Sequence, residues 1–195
     1  MKKVSLLAIS FGASMALVMG VQLGDLWAGD CQYVGVAKCK VCHSKENLGG
    51  VEFQSWEQTA HAKAFETLKP GVKAEVKTKA NLDPQKDYSS DPKCLKCHTT
   101  GYGKPAAADA KLEGVQCEAC HGPGSEYKNP KIMSKKKYQE NREAARKENM
   151  AAGLIIPTEE VCQGCHNQES PSFKEFDFQK NVELIKHKKA GSETK

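Results

Sequence analysis

Cys117-Glu118-Ala119-Cys120-His121 is the stretch on which the reading of this chain turns, because its pattern recurs. The other copies are Cys39-Lys40-Val41-Cys42-His43, Cys94-Leu95-Lys96-Cys97-His98 and Cys162-Gln163-Gly164-Cys165-His166. C-x-x-C-H is the attachment signature of c-type haem. On a helical turn, positions i, i+3 and i+4 share a face. Two thiols placed there can each form a thioether with a haem vinyl group while the imidazole reaches the iron. The alternative is a pair of all-cysteine zinc ribbons with incidental histidines. Histidine fills 6 of 195 positions, so four histidines falling by chance behind four cysteine pairs would be an event on the order of one in a million. A disulfide framework does not need them either. The sequence therefore predicts four covalently bound haem c groups, each with its iron.

Met1-Lys2-Lys3, followed by the apolar run from Val4 to Leu23, has the charged and apolar regions of a secretory signal, with Ala28 the best cleavage position. Residues 1–28 are thus read as a signal peptide and 29–195 as one tetrahaem domain. The run is also comparable with the roughly 18 apolar residues that span a bilayer, so an uncleaved N-terminal anchor is the rival reading. Either way the rest of the chain is exported, and a periplasmic location is expected. No second segment is apolar enough to span a membrane, so a cleaved chain is not expected to do so. Cleavage leaves 27 basic and 23 acidic residues, a surplus that haem propionates would cancel. Without a recognisable nucleic-acid motif, that surplus gives no ground for a nucleic-acid partner.

An apolar fraction of 39% is modest for a domain with an ordinary core, so the macrocycles are expected to supply much of the buried surface. The predicted fold is mainly α: a small, haem-packed domain of short helices and long loops, with few strands. Val51 to Leu68 reads as a helix, with His61, Ala64, Phe65 and Leu68 at i, i+3, i+4 and i+7 on one face, stopped by Pro70 and Gly71. Pro70 to Lys93 reads as a lysine-rich linker containing one short helix. Lys131 to Asn149 reads as a charged helix: a solvated face, with docking of an acidic redox partner as the alternative. Phe176-Asp177-Phe178 leads into a last helix that ends near His187. Cys31 belongs to no pair and shows no role. Asp30 before it argues against a lipid anchor.

Four of the six histidines are proximal ligands, at His43, His98, His121 and His166. Only His61 and His187 remain as imidazoles for sixth positions. Outside the signal the methionines are Met133 and Met150. At most two haems can then be bis-histidine within one chain. The other two irons take methionine, a lysine, an amine, water, nothing, or a residue from another subunit. An open site permits small-molecule binding, whereas a closed one permits only electron transfer.

Beyond the haem motifs, the chain carries Ser55-Trp56, Thr59-Ala60-His61-Ala62-Lys63-Ala64, Leu68-Lys69-Pro70, Leu82-Asp83-Pro84, Lys86-Asp87-Tyr88 and Gly114-Val115, with His121-Gly122-Pro123-Gly124 closing the third motif. In these it resembles the cytochrome c-554 family of tetrahaem c-type cytochromes, over essentially the whole mature chain. The resemblance implies a mainly helical fold with haems in close, near-parallel pairs. It implies His61 as the distal ligand opposite His121, His187 opposite His166, and a five-coordinate haem on His98. The family also has a histidine shortly after C-H-G-P-G that reaches the first haem. Here Ser125 to Met133 contains none, and Met133 is the candidate ligand opposite His43, with Lys131 or an open site as rivals.

The leading functional reading is an exported carrier that relays electrons between donor and acceptor proteins through four haems, and not an enzyme. No hydrolytic triad, phosphate loop or acid/base carboxylate pair is visible. One rival is reduction of nitric oxide or another small nitrogen oxide at an open haem on His98. Another is a haem-lined filament in which subunits donate ligands to one another.

Overall fold

The computed structural model describes residues 31–48 and 50–187. The signal peptide assigned to residues 1–28 lies outside them. The described residues form short helices joined by long loops: α1 (Val36–His43), α2 (Glu52–Glu57), α3 (Ala74–Lys79), α4 (Pro92–His98), α5 (Cys117–His121), α6 (Lys135–Glu140), α7 (Arg142–Ala151), α8 (Glu159–Gln163) and α9 (Phe178–Ile185), with a 3-10 turn at Phe65–Leu68. Pairing of extended backbone is limited, among these residues, to isolated bridges at Tyr33–Ala106, Lys45–Gly50 and Thr99–Glu113. The mainly α class read from the sequence is the class observed.

The single helix expected from Val51 to Leu68 is not formed. Helix α2 ends at Glu57, and the chain then runs in tight turns with i+3 bonds, Lys63 N–H to the Ala60 carbonyl and Ala64 N–H to that of His61, both at 3.2 Å. The acceptors a regular helix would use are diverted elsewhere. The His61 carbonyl also takes the Val115 N–H at 3.0 Å, and the Ala64 carbonyl faces His98 Nδ1 at 2.7 Å. Long-range bonds thus override the local apolar period.

The charged helix expected from Lys131 to Asn149 is likewise divided. Asn141 adopts an extended conformation between α6 and α7, and its Oδ1 caps α7 by accepting the Ala144 N–H at 3.0 Å. Lys137 then bridges the two helices to Glu148 at 2.7 Å. The linker from Pro70 to Lys93 does contain one short helix, α3, and is pinned by Gly71 N–H to the Pro84 carbonyl and Tyr88 N–H to that of Leu68.

A conventional core is almost missing. Among the described residues the buried apolar side chains are Val34, Phe53, Leu68, Tyr88, Tyr127 and Ala145. Buried polar groups share the interior with them. Glu118 is 1% exposed, and its carboxylate accepts the backbone N–H groups of Val34, Gly35 and Gly124 at 2.6–3.1 Å. Gln116 accepts the Val36 N–H at 2.7 Å and donates to the carbonyls of Lys111 and Glu113. The first N–H groups of a helix lack intrahelical partners. For α1, Gln116 accepts from Val36 at the first helical position and Glu118 from Gly35 and Val34 just before it, which binds the first motif to the third.

The segment Leu112–Val115 does the same for the second motif. Its backbone pairs with His98 and Thr100 on one side and with His61 on the other. Gly114 has φ 83°, and a Cβ there would stand 2.9 Å from the Ala62 carbonyl oxygen, so the close approach requires glycine.

Candidate haem-attachment site

The cysteine pairs and their histidines sit on α1, α4 and α5 for the first three motifs. The fourth departs from the expected helix. Cys162 lies in α8, whereas Cys165 and His166 fall in the turn after it, where both N–H groups still bond to the Cys162 carbonyl, at 3.1 and 2.9 Å. The turn preserves the required spacing. No disulfide joins any of the eight motif cysteines or Cys31.

A histidine that ligates a metal through Nε2 commonly donates its Nδ1–H to a carbonyl or carboxylate, which fixes ring and tautomer. Three of the motif histidines are held in this way. His98 Nδ1 meets the Ala64 carbonyl at 2.7 Å, with Thr67 Oγ1 at 3.2 Å. His121 Nδ1 meets the Ile155 carbonyl at 3.2 Å, and the Ile155 N–H returns to the His121 carbonyl at 2.8 Å. His43 Nδ1 meets the Glu52 carboxylate at 3.1 Å. The His166 ring is instead stacked on Phe176, with centroids 4.8 Å apart. Sequence reasoning did not single out Glu52 or Ile155, and it read Phe176 only as part of the approach to the last helix.

Metal–imidazole bonds of about 2.0–2.1 Å on both sides of an ion set two ring centroids on the order of 6 Å apart. The structure holds two such pairs. His61 and His166 have centroids 5.9 Å apart, and His121 and His187 are 6.3 Å apart. The resemblance implied His61 facing His121 and His187 facing His166; the rings that lie together are His61 with His166 and His121 with His187. The turn after α2 brings His61 beside the fourth motif, and the end of α9 brings His187 beside the third. Burial pushes the His61, His121 and His187 imidazoles below their ordinary range, favouring the neutral form that a metal requires. His43 moves the other way, raised chiefly by its bond to Glu52.

Met133 Sδ lies 3.7 Å from Asn149 Nδ2, and Asn149 is fully buried with its Oδ1 unpartnered.

The first motif is tied to the third through the bonds of Glu118 and Gln116 to the start of α1. A cavity of about 610 Å³ opens among His61, Cys97, His98, Cys120, Cys165 and His166. Among the described residues no three His, Cys, Asp or Glu side chains converge as a zinc cage would. Paired thiols, Nδ1-anchored imidazoles and a cavity between motifs fit haem c.

A family model described as cytochrome c554 and c-prime matches residues 38–122, which take in the first three motifs. Cytochrome c-554 of Nitrosomonas europaea is 37% identical over 173 residues, covering 85% of this chain and 71% of that protein. The chain belongs to the cytochrome c-554 family. A solved structure of reduced cytochrome c554 from Nitrosomonas europaea superposes with a TM-score of 0.58 at 34% identity, over 80% of this chain and 79% of that one. Membership in the cytochrome c-554 family brings covalent haem c and electron transfer as the chemistry of the site. The described residues contain no helix long and apolar enough to cross a membrane.

Proposed function

We propose that this chain is an exported, periplasmic tetrahaem electron carrier serving protein redox partners, made of a cleaved signal at 1–28 and one domain at 29–195. The observation that carries the reading is how the motifs are joined: Glu118 and Gln116 tie the start of the first to the third, and the second, third and fourth border one cavity. Cys39, Cys42, Cys94, Cys97, Cys117, Cys120, Cys162 and Cys165 hold the four haems. His43, His98, His121 and His166 are the proximal ligands. The bound haem supplies the one-electron chemistry, and the protein sets axial ligation, burial and second-shell bonds.

His61 opposite His166 and His187 opposite His121 close two of the irons. Met133, held at its sulfur by Asn149, is the candidate sixth ligand at His43. The haem on His98 is the open one, because among the described residues no second imidazole ring is paired with that of His98. That vacancy also supports a second reading, reduction of nitric oxide or another small nitrogen oxide at His98.

Carbon monoxide binding to the fully reduced protein, counted per chain, tests the ligand set. Uptake at one or two haems is expected. No uptake would mean four six-coordinate irons, ending both the vacancy at His98 and the enzymatic reading.

A further inference from the structure

The carboxylate against His43 has no counterpart at the other three motifs. Neutral carbonyls of Ala64 and Ile155 meet His98 and His121, and an apolar ring lies on His166. We infer that Glu52 is a positioning residue that grips the His43 imidazole at Nδ1 and lowers the reduction potential of the haem carried by the first motif. The inference rests on the reading of His43 as an iron ligand.

The contact is built into the fold rather than left to a surface side chain. The chain leaves α1 at His43, bridges Lys45 to Gly50, and re-enters helix at Glu52. Phe53, beside Glu52, is buried, and Gln54 Nε2 donates to the Ser44 carbonyl at 3.1 Å. These bonds fix α2 against the end of α1, so the carboxylate is returned to the ring nine residues on, at 3.1 Å. Both side chains are about one-third exposed, dry enough for the bond to act and wet enough for the carboxylate to remain charged.

A carboxylate on the distal nitrogen of a ligating imidazole raises the ligand's basicity, and second-shell hydrogen bonding is one of the protein's levers on haem potential. A more basic imidazole and a neighbouring anion both favour the ferric over the ferrous ion. The exchange is the addition of one electron to iron, with no bond made or broken, the electron coming from the redox partner or, in a titration, from dithionite.

The test is an optical redox titration of the haem-loaded full chain carrying Glu52→Gln, which keeps an acceptor oxygen and removes the charge. One of the one-electron transitions is expected to move upward by tenfold or more in its equilibrium constant, about 59 mV, with the others within threefold. Glu52→Asp keeps the charge on a shorter arm and should move the same transition upward by less. It carries the test if Glu52→Gln fails to mature. No movement in the variant examined, with haem mass present on the peptide containing Cys39 and Cys42, would overturn the inference. A wild-type peptide without haem mass would instead overturn the reading of the first motif, and the inference with it.

Discussion

At the scale of single residues, the haem chemistry is legible because it is local. Two thiols and an imidazole within five positions declare themselves without knowledge of the fold. The second ligands do not. His61 and His187 can be found by counting histidines, but which motif each one lies beside depends on loops, and the rings found together are His61 with His166 and His121 with His187. Glu52 was invisible for the same reason. A glutamate nine positions from a motif histidine is unremarkable until α2 folds back on α1. The ring pairs make a direct prediction. His61→Ala and His187→Ala should each release one iron, so each variant, fully reduced, should take up one more carbon monoxide per chain than the parent. An unchanged count would remove that histidine from the ligand set.

At the scale of elements, the apolar period from His61 to Leu68 is real, but it does not make a helix, because the carbonyls of His61 and Ala64 are engaged by Val115 and His98. Sequence reading weighs neighbours along the chain and cannot see acceptors claimed from 34 residues or more away. The same limit hid Glu118. It occupies a variable position inside a C-x-x-C-H motif, where it looks exposed and dispensable, yet it anchors three backbone N–H groups. Each buried donor left without a partner costs about 1–3 kcal/mol. Glu118→Ala should therefore destabilise the haem-loaded protein by roughly 3 kcal/mol or more in guanidinium unfolding. Glu118→Gln, keeping one acceptor oxygen, should lose less. Equal stability of Glu118→Ala and the parent would mean that water replaces the carboxylate.

At the scale of the whole molecule, the composition was a sound guide. A modest apolar fraction becomes a handful of buried apolar side chains in the described residues, too few to offset the conformational entropy of ordering so much loop. On the tetrahaem reading proposed above, the haems provide the rest of the interior. A chain with all eight motif cysteines changed to alanine should show no cooperative thermal transition by circular dichroism, whereas the loaded chain should show one; a cooperative transition in the former would mean that the polypeptide core suffices. The cross-domain capping of α1 has a further consequence, in time rather than in space. The N–H groups of Val34, Gly35 and Val36 wait for acceptors 80 to 84 positions downstream. As the chain emerges from its N-terminus, the first cysteine pair therefore cannot settle into its final helix until the third has been made. Through that interval Cys39 and Cys42 stay on an unfinished, accessible strand of polypeptide, open to whatever chemistry loads them, and the last contacts to form lock the earliest site.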